Sequence, residues 1–217
     1  MIYGQHQDMF QKSHETCSKI AKNPFFDMDI IVGKPWRIYY TWNLKLDTKC
    51  LDMIFQNATR GVSITIFFFF FLALIPAIAR VIKRIWSDMN EYVEHQPVWE
   101  AATLHVTMGS ETHEMLLFAD QGVAGTFLAV PNVVRDANNI RPLRKGVPLL
   151  RFQMKLLKEG KYLLVMDCHV GGASLAARPD QPIYRSEVAA EAAYLDIGDG
   201  HPACTVEKNK GEQFFVK

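Results

Sequence analysis

The most regular pattern along the chain lies at residues 36–45, WRIYYTWNLK. Trp36, Ile38, Tyr40, Trp42 and Leu44 alternate there with Arg37, Tyr39, Thr41, Asn43 and Lys45. Alternation of this period in β-favouring residues predicts a strand with one buried face. Weaker strand patterns follow at TKCLDMIFQNAT (48–59), VWEAATLHVTM (98–108), HEMLLFAD (113–120) and VAGTFLAV (123–130). Two more, VPLLRFQMKLL (147–157) and KYLLVMDCHV (161–170), flank Lys158-Glu159-Gly160, whose glycine suits the positive φ of a short hairpin loop. Beyond Pro179 and Pro182, SEVAAEAAYL predicts one short helix with Ser186 as its N-cap. Many short strands joined by turns, with a late helix, point to an all-β sandwich or barrel.

One stretch breaks this pattern. Residues 61–79, GVSITIFFFFFLALIPAIA, carry no charge and include the run Phe67 to Phe71. The stretch is long enough for a transmembrane helix, and Arg80, Lys83 and Arg84 would then set its carboxy-terminal flank on the cytoplasmic side. As a barrel strand it is too long and apolar on both faces. A third reading is translation through the pyrimidine tract of an intron. Deleting Gly61 to Arg80 joins QNATR to VIKRIWSD. The domain reading is therefore a lead-in at 1–24 and a barrel at 25–217, with 61–80 as an apolar helical insert expected to project from the barrel, poorly packed.

The chain has 217 residues, 49% of them hydrophobic and 22% charged, which suits one domain with a sizeable core. A net charge of +1 gives no electrostatic reason to expect nucleic acid or an anionic surface as partner. Four Trp and seven Tyr fit β-structure and apolar pockets. Cys17, Cys50, Cys168 and Cys204 form no C-x-x-C pair, so a zinc ribbon or a thioredoxin-type motif is not expected. Isolated cysteines in even number fit either disulfides, in any of three connectivities, or buried thiols. Asn57-Ala58-Thr59 is a glycosylation acceptor pattern, whereas residues 1–16 show no apolar secretory signal.

Catalytic signals are weak. His95, His105, His113, His169 and His201 lack metal-ligand spacing, so no metal is expected. Asp167-Cys168-His169 resembles a nucleophile arrangement, but neighbours on a strand point to opposite faces. Gly171-Gly172 is too short for a phosphate loop. The residues therefore indicate no enzyme.

Several segments carry a resemblance. FFDMDIIVGKPWRIYYTWN (25–43) resembles the amino-terminal signature of the lipocalins, in which a glycine, here Gly33, precedes a tryptophan, here Trp36, that opens the first barrel strand. KYLLVMDCHV resembles the cysteine-bearing strand of insect lipocalins of the bilin-binding and insecticyanin type. PIYRSEVAAEAA (182–193) resembles the third family motif, with Arg185 as the arginine that ends the last strand, and PACTVEKNK (202–210) resembles the cysteine-bearing tail.

This resemblance implies an eight-stranded antiparallel up-and-down barrel with a short carboxy-terminal helix. It also implies disulfides Cys17–Cys168 and Cys50–Cys204, and an Arg185 guanidinium over the Trp36 indole at the closed end. Both bridges need the two flanks of 61–79 in one compartment. The expected function is extracellular carriage of a small hydrophobic molecule, of pigment, bilin, lipid, retinoid or odorant type, with no covalent cofactor. The apolar candidates for the interior are Tyr40, Trp42, Met53, Phe55, Leu104, Met115, Leu117, Phe127 and Phe152. Two alternatives stand beside it: a secreted inhibitor or interaction protein of the same fold acting through its loops, and a single-pass membrane protein anchored by 61–79.

Overall fold

The computed structural model describes residues 13–44, 46, 50–58, 75–120, 122–134 and 145–204. Residues 61–74 of the apolar stretch, Thr59 of the acceptor triplet and the tail beyond Cys204 lie outside the described residues.

A helical segment α1 (13–21) leads into the short helix α2 (Met28–Ile31) and then into strand β1 (Trp36–Trp42). The wall continues with β2 (Asp52–Asn57), β3 (Leu104–Met108), β4 (Ser110–Ala119), β5 (Thr126–Pro131), β6 (Leu150–Leu157), β7 (Tyr162–Asp167) and β8 (Ala173–Ala177). Each strand pairs antiparallel with the next, and β1 pairs with both β8 and β2, so the eight strands close into an up-and-down barrel. The β1–β2 closure is short, with Trp36 opposite Met53 and Arg37 opposite Asp52. A fork of hydrogen bonds reinforces it, Arg37 donating from Nε at 2.7 Å and Nη2 at 3.0 Å to the two Asp52 carboxylate oxygens. The β6–β7 loop turns as expected, with positive φ at Lys158, Glu159 and Gly160.

One strand boundary and one helix start need correction. Trp99–Ala101 is a 3₁₀ turn, so the strand predicted from residue 98 begins at Leu104. The late helix α4 (Arg185–Leu195) starts one residue before Ser186, which lies inside its first turn, and the extended N-cap is Tyr184.

Among the described residues three apolar cores result. The interior holds Trp36, Ile38, Met53, Phe55, Leu104, Val106, Leu117, Phe127, Met154, Leu156, Leu163 and their neighbours. A second core lies outside the wall, where β1, β7 and β8 are covered by α1 and α4. The third lies outside β3 to β5, beneath helix α3 (Ile75–Met89) and Trp99. Because two faces of the barrel are covered, β7 and β8 are buried at nearly every position rather than alternately.

Helix α3 corrects the expectation of a poorly packed projection at its described end. Ile78, Val81, Ile82, Ile85 and Met89 recur at helical spacing and pack on the outer face of the barrel, with Ile85 and Met89 fully buried. The helix runs without a break through Arg80 and Val81, the junction that would follow from deleting 61–80. Among the described residues, no helix is long and apolar enough to cross a membrane.

Two disulfides, Cys17–Cys168 and Cys50–Cys204, join segments 151 and 154 residues apart. The first fastens α1 to the end of β7, and the second fastens the tail to the start of β2. Bridges of this kind suggest an oxidising environment. Just before Cys204, a short strand β9 (Gly200–Pro202) pairs with Tyr40, Thr41 and Trp42, filling the seam where β1 and β2 diverge. Gly200 allows that approach: a Cβ there would stand 2.5 Å from a Tyr40 ring carbon and 2.6 Å from the Thr41 carbonyl oxygen. Gly200→Ala is expected to cost about 1–3 kcal/mol by overpacking. Amide hydrogen exchange should then speed up at residues 200–203 while β5 to β7 keep their protection.

Candidate ligand site at the barrel mouth

The two ends of the barrel differ. At the lower end α2 and the chain before it form a floor. Phe26 meets Phe127 edge-on with ring centroids 5.3 Å apart, and Met28, Ile30 and Val32 pack against the interior. Gly33, at φ +90°, donates its N–H to the Phe55 carbonyl at 2.9 Å, and the Trp36 indole N–H donates to the Ile31 carbonyl at 3.0 Å. Over the Trp36 ring lies a guanidinium, 4.0 Å from the centroid, and it belongs to Arg178 rather than Arg185. The reason is the position of β8: it ends at Ala177, so the arginine that follows the strand is Arg178. Arg185 is half-buried at the start of α4. Arg178 is almost fully buried and donates to the carbonyls of Ile30, Ile31, Lys34 and Pro35, sealing the floor. Burial pulls its pKa below the ordinary arginine value, with the Asp180 charge opposing.

Toward the upper end the inner face opens. Met115 and Phe152 are only half-buried, as are Met108, Leu150 and Leu51, although all pack on the interior core. Of the sequence candidates, Met53, Phe55, Leu104, Leu117 and Phe127 are buried in the interior, with Met115 and Phe152 nearer the mouth. Met108, Leu150 and Met154 were missed, although the same period-two pattern continued one or two positions would have found them.

Tyr40 and Trp42 do not line the interior. A bulge between Ile38 and Tyr40 inserts one extra residue, so that Trp36 and Ile38 point inward while Tyr40 and Trp42 point outward, into the core beneath α4. Their rings touch, centroids 4.9 Å apart, on that outer side. Thr41 takes the inward position between them, opposite Ser174. Asn57, at the end of β2, is exposed.

A concavity of about 210 Å³ lies outside the wall between α1 and residues 197–199, with Ser13, Asn43, Met166 and Asp199 among its lining. None of the candidate ligand-binding residues read from the sequence lines it. Among the described residues no cluster of His, Cys, Asp and Glu could hold a metal ion.

Comparison with protein-family models, with curated proteins and with solved structures finds no match to this chain.

Proposed function

We propose that the protein is a lipocalin-type carrier that holds a small hydrophobic molecule in the upper half of its barrel, outside cells and without enzymatic chemistry. The observation that carries this reading is the gradient along the inner face: a floor sealed by Trp36 and Arg178, and apolar side chains at the mouth left partly open to solvent. A ligand that removes its own apolar surface and theirs from water gains about 2.5 kcal/mol per 100 Å², before the cost of ordering it. Methionines at the mouth, Met108 and Met115, can re-pack around different ligand outlines. The family reading draws further support from the two bridges, whose pairing is the one the resemblance implied, and from the carboxy-terminal helix. An oxidising compartment agrees with carriage outside the cell.

The test uses N-phenyl-1-naphthylamine, a dye whose emission rises in apolar surroundings, titrated into the disulfide-bonded full chain. Saturable enhancement with a single site is expected. Met115→Lys should weaken it at least about 10-fold, because the ammonium group brings its hydration into the ligand's path. Tyr40→Phe, on the outer side of the bulge, should leave it unchanged. Wild-type protein that gives no saturable signal would remove the basis for carriage.

A further inference from the structure

The inner face is not uniformly apolar, and its polar positions are grouped. His201 of β9 is paired with Thr41 of β1, which is paired with Ser174 of β8. Directly paired residues present their side chains to the same face, so the three form a row across three adjacent strands on the inside of the upper barrel. Ser174 also stands opposite Val165, a member of the interior core, which fixes the inward side.

The hydrogen bonding in this row sets what it can offer. Thr41 is wholly buried, and its hydroxyl donates to the Leu44 carbonyl at 3.0 Å. With its single proton so used, the oxygen that lies 3.2 Å from His201 Nε2 must accept from that nitrogen. His201 therefore carries its proton on Nε2, and in the neutral ring Nδ1 is an acceptor. Among the described residues neither Nδ1 of His201 nor the hydroxyl of Ser174 has a hydrogen-bond partner. The Cys50–Cys204 bridge, two residues beyond Pro202, holds the strand that carries His201 in place.

The inward charge at this level, among the described residues, has one sign. Among the described residues the strand register turns no lysine or arginine inward on the upper half of the wall, whereas Asp167, opposite Phe152, stands at the inner rim. Its carboxylate accepts from the backbone N–H groups of His169 and Val170. Among the described inward-facing residues, a carboxylate ligand would meet this charge with no cation to offset it.

The geometry points to a head-group subsite at His201 and Ser174, positioned by Thr41, that takes a neutral lipophilic alcohol. The ligand hydroxyl donates to His201 Nδ1 or exchanges a hydrogen bond with Ser174, and its chain lies against Met115 and Phe152. This inference rests on the carrier reading proposed above and adds to it the chemical class of the ligand.

Displacement of bound N-phenyl-1-naphthylamine by 1-dodecanol, dodecyl methyl ether and dodecanoate at pH 8 tests it. The alcohol, which alone can donate, should displace the dye at a concentration at least about 5-fold lower than either analogue. His201→Phe and Ser174→Ala should each erode that preference about 3-fold or more. The far-UV circular dichroism spectrum and the unfolding midpoint of each variant, measured alongside, report an intact barrel, so that the preference is read in folded protein only. Equal displacement by alcohol and ether, a preference that survives both substitutions, or dodecanoate as the best competitor would each overturn the subsite while leaving carriage standing. If the wild-type chain does not bind the dye at all, it is the carrier reading that fails, and the subsite with it.

Discussion

Arg178→Ala should destabilise the protein by about 3–4 kcal/mol, read as a lower midpoint of guanidinium chloride unfolding with the slope unchanged and both disulfides intact. Two losses combine. One is the cation–π contact with Trp36, 4.0 Å from ring centroid to guanidinium carbon. The other is the set of donors to the carbonyls of Ile30, Ile31, Lys34 and Pro35, which hold α2 and the Gly33 turn across the floor. Those carbonyls lie near the barrel base, where water replaces the lost donors poorly. Arg178→Lys keeps the charge but not the planar fork, and should recover less than half of the loss. Arg185→Ala is the contrast: a half-buried arginine in the first turn of α4, where a cation is disfavoured by the helix dipole, should shift stability by less than about 1 kcal/mol. Equal effects at Arg178 and Arg185 would refute the assignment of the floor to Arg178.

How much of this was legible in the sequence depends on whether a strand has one covered face or two. β1 was found because WRIYYTW is rich in β-formers, but its facing was misread after Ile38. Alternation there is masked by aromatic residues on both sides: Tyr39, Tyr40 and Trp42 are needed outside, beneath α4, just as Trp36 and Ile38 are needed inside. A bulge between Ile38 and Tyr40 leaves no compositional trace. β8, ASLAA, was not recognised as a strand because its five residues are all buried and unpatterned, four of them small, and the arginine after it was consequently passed over for Arg185. Gly33 and Trp36 were singled out through the resemblance of residues 25–43, and here they donate to the Phe55 and Ile31 carbonyls. The polar row of the proposed subsite was not, because Thr41, Ser174 and His201 come from three distant segments brought together by register alone.

Helix α3 failed to appear in the sequence reading for a different reason. Its apolar stripe begins at Ile78, inside the stretch set aside as an insert, and continues to Met89, so drawing the boundary at Arg80 cut one amphipathic pattern in two. Residues 75–80 share one helix with VIKRIWSD, and Ile78 packs into the same outer core as Ile85 and Met89. The helix is also more than an apolar cover. Arg84 projects from it toward a carboxylate on the outer wall, Asp88 accepts from Asn132 Nδ2 beside it, and these polar contacts give α3 a defined position over β3 to β5.

That carboxylate is Glu114 of β4, and its removal should be the second large perturbation. Its side chain is 1% exposed and accepts from Arg84, from His105 Nε2 at 2.9 Å and from Asn132 Nδ2 at 3.0 Å. Asn132 also donates to Asp88 at 3.0 Å, and His105 Nδ1 lies 3.2 Å from the Gln56 side-chain oxygen, so one carboxylate ties α3 to β2, β3, β4 and the end of β5. Burial pushes the Glu114 pKa upward, but the hydrogen bonds from His105, Asn132 and Arg84 and the Arg84 charge outweigh it, and the net direction is below the ordinary carboxyl value of 4.5. A depressed carboxyl pKa stabilises the fold above the unfolded value, and that contribution is lost as pH falls through the folded value. Glu114→Ala leaves Arg84 and His105 facing a void, and should cost about 3–5 kcal/mol at pH 7. Glu114→Gln retains an acceptor and should cost about half as much. Unfolding midpoints of wild type and Glu114→Gln measured from pH 7 downward should run parallel, then converge below the ordinary carboxyl range as the wild-type carboxylate takes up its proton. A gap that stays constant to the lowest accessible pH would mean that the charge of Glu114 contributes nothing, and that its role is packing alone.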